Sequence, residues 1–166
     1  MTAPTTAYTL TGLKVYESMS EETLCFEATL RKNGKIVARI SNRGIGGCNE
    51  YDFKNTADLQ AFRSWVKEQP PIPNVFFKAH EPESDDNRRF WPAGDPDLWV
   101  DEAITRLRND KRSAIRTLLR KAGNKLEVYE LKLPYARLER TDGNLQLLRS
   151  QGMTEMWVPG DGWTAI

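Results

Sequence analysis

Proline density sets the strongest constraint on how this chain folds. Six of the nine prolines lie in the stretch from Pro70 to Pro96. Proline has no backbone N–H donor and its ring clashes with the preceding helical turn, so neither a helix nor a central strand runs through such a stretch. We therefore predict an irregular connector over residues 70–96. A connector of this length is typical of a functional loop or of a mobile segment.

Residues 8–53 have the pattern of an antiparallel sheet. Apolar and polar residues alternate on both sides of Asn33-Gly34, which is the period of half-buried strands. With one earlier strand, this hairpin predicts an N-terminal antiparallel β-meander. We predict a three-residue hairpin loop, Lys32-Asn33-Gly34, because it pairs Leu30 with Ile36 and keeps the two apolar faces together.

Two helices are predicted, one on each side of the connector. The first covers residues 56–69, with Asn55 or Thr56 as its N-cap and Phe62 and Val66 on its apolar face. The second is long and basic, begins at Asp97 as its N-cap and covers residues 97–122.

The C-terminal part, residues 125–166, is predicted to form a β element. Strands are expected at residues 126–133 and 135–138. A short helix is expected after them at residues 144–150, followed by a short terminal strand or turn at Trp157-Val158. Together these predictions give an α+β fold in which residues 1–166 form a single domain.

Charge is distributed unevenly although the net charge is only +1. Residues 81–102 carry eight carboxylates and two arginines, whereas residues 106–121 carry seven basic groups and one aspartate. An acidic connector therefore leads into a basic helix, and each is a surface that can meet a charged partner.

A basic stripe is predicted along the second helix, where arginines recur every four residues. Its members, together with the neighbouring lysine, are Arg108, Lys111, Arg112, Arg116 and Arg120. Like charges at this spacing cost a helix about 0.2–0.5 kcal/mol per pair, and phosphates, an acidic partner or the acidic connector folded back in the same chain can offset this cost. Arginine binds carboxylate or phosphate with two parallel hydrogen bonds, which suits an acidic protein or a nucleic acid. The alternative is a solvated helix face with scattered ion pairs.

The connector offers a second candidate surface, which is acidic and aromatic. Its candidate partner-binding residues are Glu81, Glu83, Asp85, Asp86 and Trp91. Carboxylates displayed on a loop can imitate phosphate charge in a nucleic-acid channel, and a tryptophan in an irregular segment supplies a large contact area. In one alternative interpretation the tryptophan covers the edge of a thin core. In another, the carboxylates bind a divalent ion, although they lack the spacing of a calcium loop.

The sequence contains no catalytic signature. Cys48 and His80 could form a nucleophile and base, but both lie in irregular segments and no third orienting residue is evident. Two cysteines and one histidine fall short of the four ligands of a structural zinc site. The glycine-rich segment at residues 41–49 indicates a structural turn rather than a phosphate cradle, because no Gly-Lys-Ser/Thr follows it. We predict neither catalytic residues nor a metal or cofactor.

The expected compartment is the cytoplasm. No apolar run approaches the roughly 20 residues that span a bilayer. The first ten residues lack the basic and apolar regions of a signal peptide, and two cysteines without an export signal are typical of a reducing compartment.

The N-terminal string SEETLCFEATL (residues 20–30), followed by NGK (33–35) and SNxGxGG (41–47), resembles the opening of small hypothetical proteins carried by bacteriophages and prophages. The resemblance extends loosely to the basic segment and to the strand after it. It implies a phage accessory protein in the cytoplasm of a bacterial host, and it assigns no catalytic residue.

Phage accessory proteins without enzymatic signatures most often bind and block a host protein. We therefore expect an interaction protein that inhibits a host protein or protein–nucleic-acid complex, such as a CRISPR-type defence complex. One alternative is a nucleic-acid-binding module that uses the basic helix with aromatic stacking. A third is a small hydrolase that uses Cys48 or the connector carboxylates.

Overall fold

The computed structural model describes residues 7–74, 76, 78, 80–85, 87–121 and 124–166, and of residues 124–126 only the backbone. The α+β fold is confirmed, with two four-stranded antiparallel sheets and three α-helices among the described residues. The chain divides into two compact units, one formed by Met1–Ile72 with Phe90–Ile104 and the other by Pro73–Arg89 with Thr105–Ile166. Because compact units occur within one domain as well as in two, the single domain stays a prediction.

The first unit contains the predicted β-meander, which has four strands in the order β1-β2-β3-β4. These strands are β1 (Tyr8–Val15), β2 (Phe26–Lys32), β3 (Lys35–Asn42) and β4 (Glu50–Phe53). The alternation expected for β2 is present, since Phe26, Ala28 and Leu30 are buried and Glu27 is exposed.

The hairpin between β2 and β3 differs from the prediction. A two-residue turn joins the strands, with φ of 49° at Asn33 and 82° at Gly34, so that Lys32 pairs with Lys35. A β-bulge follows, and Leu30 pairs with Ala38 instead of Ile36. Two positive φ values give the turn the twist that a two-residue hairpin needs, and the extra residue in the bulge restores the match between the apolar faces.

Helix α1 (Thr56–Lys67) lies where the first helix was predicted. The Asp58 amide donates to the Asn55 side chain at 2.8 Å, which makes Asn55 the N-cap. Phe62 and Val66 are buried on its apolar face. The Phe62 ring is central to an aromatic core, because the centroids of five rings lie 5.2–6.5 Å from its own: Tyr8, Tyr51, Phe53, Trp65 and Trp99.

Helix α2 (Pro96–Ser113) is shorter than predicted and begins one residue earlier. Proline occupies its first position, where no N–H donor is required, and the Asp97 amide donates to the Asp95 carboxylate at 2.8 Å. The cap is therefore Asp95 and not Asp97. The boundary between the two units falls within this helix, after Ile104.

The C-terminal end of the predicted long helix is wrong, because residues 117–121 form a strand. Strand β5 (Thr117–Lys121) follows a turn in which the Ile115 side chain is 68% exposed. Thr117, Leu118 and Leu119 are all buried, so this strand is covered on both faces. A strand of that kind shows no alternation in sequence, and its short apolar run was attributed to the helix.

The second unit contains the C-terminal β element, a sheet in the order β6-β5-β7-β8. Its other strands are β6 (Asn124–Leu131), β7 (Met153–Val158) and β8 (Gly162–Ala165), and α3 (Asp142–Ser150) precedes β7. The core on one face consists of Leu119, Leu148, Met153 and Met156. The strand predicted at residues 135–138 is wrong, since Tyr135–Arg137 is a 3-10 turn that follows Pro134.

Candidate partner-binding surfaces

Part of the predicted connector, Pro73–Arg89, is a loop organised around two buried asparagines, and we call it the asparagine loop. At its ends, the Asn74 amide donates to the Arg89 carbonyl at 2.9 Å and the Asn74 side chain donates to the Arg88 carbonyl at 2.8 Å. The Phe76 amide donates to the Asn74 side-chain oxygen at 2.9 Å. One side chain thus satisfies backbone groups from both ends of the loop.

The second asparagine, Asn87, binds the middle of the same loop. Its side-chain nitrogen lies 3.0–3.2 Å from the carbonyl oxygens of Lys78, Glu81 and Pro82. Its side-chain oxygen accepts from the Lys78 amide at 2.8 Å. Local side-chain hydrogen bonds of this kind replace the ladder that an irregular segment lacks.

Three carboxylates of the asparagine loop that the structure describes, Glu81, Glu83 and Asp85, have a nearby partner. Glu81 pairs with Lys78 at 2.9 Å, and this hydrogen bond lowers the pKa of Glu81. Glu83 accepts from the Arg89 amide at 3.2 Å, and Asp85 pairs with Arg88 at 3.1 Å.

The two other candidates of the acidic and aromatic surface are Asp86 and Trp91. Asp86 lies outside the described residues. Trp91 belongs to the first unit, is half-buried and donates its amide to the Ile72 carbonyl at 2.9 Å.

The predicted basic stripe is not a single helix face. Arg108, Lys111 and Arg112 lie on α2, whereas Arg116 lies in the turn after it and Arg120 in β5. Arginines four apart line up only while the helix continues, and α2 ends at Ser113.

Three of these arginines have specific partners within the second unit. Arg112 and Arg116 both form ion pairs with Glu130, the second at 3.3 Å. The Arg120 guanidinium lies 3.8 Å from the centroid of the Trp163 ring, in a cation–π contact. For Arg112 and Arg116, a carboxylate of the same unit therefore provides the neutralising charge.

Cys48 lies beside Asp97 in a cleft of the first unit of about 580 Å³. The Tyr51 hydroxyl donates to Asp97 at 2.5 Å and the Asn49 amide donates to it at 3.3 Å. Burial and then the Asp97 hydrogen bond raise the pKa of Tyr51, while the hydrogen bond to Asp97 raises the pKa of the Cys48 thiol. A raised thiol pKa reduces the thiolate fraction, which is the opposite of what a cysteine nucleophile needs.

The structure also gives the surroundings of His80, the other catalytic candidate, and of the potential metal ligands. His80 lies 3.6 Å from Glu81 within the asparagine loop. Over the part of the chain that the structure describes, no group of three or more His, Cys, Asp or Glu side chains is arranged to hold a metal ion.

A surface that the sequence interpretation missed is formed by two loops of the first unit, residues 16–23 and 43–47, which we call the double loop. The Gly44 carbonyl accepts from the amides of Glu21, Glu22 and Thr23 at 2.8, 2.9 and 3.3 Å. Gly44 has φ of 84°, and a Cβ atom there would lie 2.2 Å from the Met19 carbonyl oxygen. The glycine-rich segment is thus a structural turn, and its amide groups at Gly44 and Gly46 donate to Asn42 and Thr23.

Comparisons of the chain with protein-family models, curated proteins and solved structures found no match. Of the helices in the described residues, none combines the length and the apolar character needed to cross a membrane. Inference about function therefore depends on the geometry of these surfaces.

Proposed function

We propose that this chain is a binding protein that blocks a host protein in a phage-infected bacterium, and that the asparagine loop is its contact surface. The observation that carries the proposal is the pair of buried asparagines, Asn74 and Asn87, which bind the loop's own backbone. A long irregular segment with an internal framework is typical of a binding loop.

Pre-organisation is the physical reason that such a loop suits binding. Ordering a flexible side chain at an interface costs about 0.5–1.5 kcal/mol, and a loop that is already ordered avoids much of the corresponding backbone cost. The asparagine loop displays Phe76, which is 61% exposed. An exposed aromatic on a fixed frame is a typical anchor residue of an interface.

The charges of the loop indicate the class of partner. Glu81, Glu83 and Asp85 lie within five residues, and the Asp85 side chain is fully exposed although it pairs with Arg88. Carboxylates spaced along a loop can replace phosphates on a basic surface. We therefore propose a target with a basic nucleic-acid channel, for which a CRISPR-type defence complex is the leading example.

The test is an affinity pull-down from host bacterial lysate, with and without nuclease, read by mass spectrometry. Asn87→Ala removes the framework of the loop, and the triple variant Glu81→Gln, Glu83→Gln, Asp85→Asn neutralises three of its four carboxylates while keeping their shape. The matched control Glu68→Gln, Glu139→Gln, Asp161→Asn removes the same charge from exposed positions outside the loop. We expect a stoichiometric host protein that survives nuclease, is retained by the control and is lost with both loop variants. Equal retention by all variants would exclude the asparagine loop as the contact surface.

A second candidate function, nucleic-acid binding, is favoured by the charge of the C-terminal part. Residues 105–166 carry twelve basic and seven acidic residues, and Lys111 is exposed on α2. Binding through such a surface weakens steeply with salt, because phosphate contacts release counterions. A bound fraction in the pull-down that disappears with nuclease, and an affinity for single-stranded DNA that falls steeply with salt, would favour this function over the first.

A further inference from the structure

The double loop holds apolar side chains at the surface of the first unit. Met19 is 56% exposed and Ile45 is 62% exposed. They are carried by the two loops that meet at Gly44, where the Met19 backbone and the residue before Ile45 are in direct contact. Single exposed aliphatic residues are common on protein surfaces, whereas two that are carried by loops hydrogen-bonded to each other mark a candidate interaction site.

The rim of this patch is acidic. Glu21 and Glu22 are exposed on the first of the two loops. The basic residue of the second loop, Arg43, forms an ion pair with Glu50 at 2.7 Å. The charge presented around Met19 and Ile45 is therefore negative, which repels nucleic acid and anionic lipid and attracts a basic protein surface.

We propose that the double loop is a docking surface for a partner protein whose contact region is an apolar pocket rimmed by lysine and arginine. Methionine adapts its shape to irregular pockets, and Ile45 provides a stiff neighbour that enters the same pocket. The acidic rim steers the approach and selects against partners of like charge. The surface uses residues separate from the asparagine loop, so it stands independently of the proposed function.

The test uses a defined probe, a short amphipathic helical peptide built of leucine and lysine, with a leucine–glutamate peptide of the same pattern as its counterpart. Methyl NMR of the full chain, labelled at methionine and isoleucine, reports where each probe binds. We expect the leucine–lysine peptide to shift the methyl signals of Met19 and Ile45 and to leave that of Ile36 unchanged. The leucine–glutamate peptide is expected to shift none of the three.

Variants then test the contact itself. Met19→Ser with Ile45→Ser should lower the affinity for the leucine–lysine peptide at the Met19/Ile45 site by at least about tenfold, because burial of two large apolar side chains is lost. Glu21→Lys with Glu22→Lys should lower it as well. Ile36→Ser is the matched control, since Ile36 is also an exposed aliphatic residue of the first unit, at 43% exposure, but lies beside Lys35 at the start of β3. The triple variant Glu81→Gln, Glu83→Gln, Asp85→Asn of the asparagine loop should leave the peptide-induced shifts of Met19 and Ile45 unchanged, which separates this proposal from the preceding one.

Three results would overturn the proposal. The first is an equal loss of affinity in Ile36→Ser and in the Met19/Ile45 double variant. The second is the absence of any shift at Met19 and Ile45 with the leucine–lysine peptide. The third is a shift of the same two methyl signals by phosphatidylglycerol vesicles, which would assign the patch to a membrane surface.

Discussion

The two units differ in the side chains that fill their cores. In the first unit, Phe62 lies among five other aromatic rings. In the second unit, Leu119 and Met156 pair across two strands in a cluster whose buried side chains are leucine and methionine. The second unit also has one aromatic pair, Trp157 with Trp163. Aromatic rings pack in a few preferred relative orientations, while methionine adapts its shape to its surroundings. The first core should therefore tolerate substitution less well than the second.

The units also differ in how they satisfy a central carboxylate. Asp97 of the first unit accepts hydrogen bonds from neutral groups, the Tyr51 hydroxyl and the Asn49 amide. Glu130 of the second unit is paired with two cations, Arg112 and Arg116. The carboxylate contacts of the second unit should respond to salt more strongly, because ion pairs at the surface are screened.

Phe62→Ala should cause the largest loss of stability among the variants that test the contrast between the two cores. Removing the central ring should reduce the free energy of unfolding of the first unit by about 3–5 kcal/mol, since the five surrounding rings cannot collapse fully into the cavity. Met156→Ala, the corresponding truncation in the second core, should cost less, about 2–3 kcal/mol, because neighbouring methionine adapts its shape to fill part of the cavity. Urea denaturation followed by tryptophan fluorescence measures both. Similar losses for the two variants would contradict the contrast between the cores.

Arg112→Glu combined with Arg116→Glu tests the expected difference in salt response between the two carboxylates, and its effect on stability should be smaller. The variant loses two partly exposed ion pairs and places three carboxylates together, so we expect a loss of about 1 kcal/mol at low ionic strength. The loss should shrink in 1 M salt, where the screening length falls to about 3 Å. Glu130→Gln is the control that removes the shared partner alone. Thermal melting at both salt concentrations gives the result, and a loss independent of salt would show that packing rather than charge is responsible.

Asp101→Asn should have the smallest effect and the opposite sign. The Asp101 residue is exposed, but desolvation by neighbouring protein atoms and the nearby charges of Asp97 and Asp95 outweigh a hydrogen bond from Asn49 and raise the pKa of Asp101 above its ordinary value. A carboxyl group with a raised folded-state pKa favours the folded chain when protonated, so its contribution is present at low pH and is lost as the pH rises through the folded-state pKa. The variant should therefore be more stable than the parent at neutral pH, by less than about 0.5 kcal/mol, and the advantage should vanish in acid. Melting curves recorded between pH 3 and pH 7, a range that includes the ordinary titration of carboxyl groups, test the sign of this difference in stability.

Sequence patterns predicted those elements that have one buried face. The alternation in β2 and the apolar stripe of α1 with its Asn55 cap both appear where they were expected. Each of these elements presents one face to a core, so burial leaves a period in the sequence. The structural role of the glycine-rich segment was also predicted, because its sequence lacks the elements of a phosphate loop.

The failures occurred where burial leaves no period or where one extra residue changes the register. Strand β5 is covered on both faces, and its Thr117-Leu118-Leu119 run continued the helical pattern of α2. The bulge that pairs Leu30 with Ala38 adds a residue that no local pattern reveals. The double loop was missed because its contacts join residues far apart in sequence. The one signal available in the sequence was Ile45, an apolar residue between glycines. In the structure Ile45 is exposed, and Gly44 and Gly46 have positive φ.

The environment of Cys48 provides a chemical reporter within the first unit. Of the two cysteines, Cys25 is buried and Cys48 is exposed, so a maleimide dye added to the folded chain should attach at Cys48. The neighbouring Asp97 raises the pKa of the Cys48 thiol, so attachment should be slower than at an ordinary exposed cysteine. Any event that draws Asp97 away from Cys48, including movement at the start of α2, would accelerate labelling. The rate of dye attachment thus reads the state of a single carboxylate contact without an engineered residue.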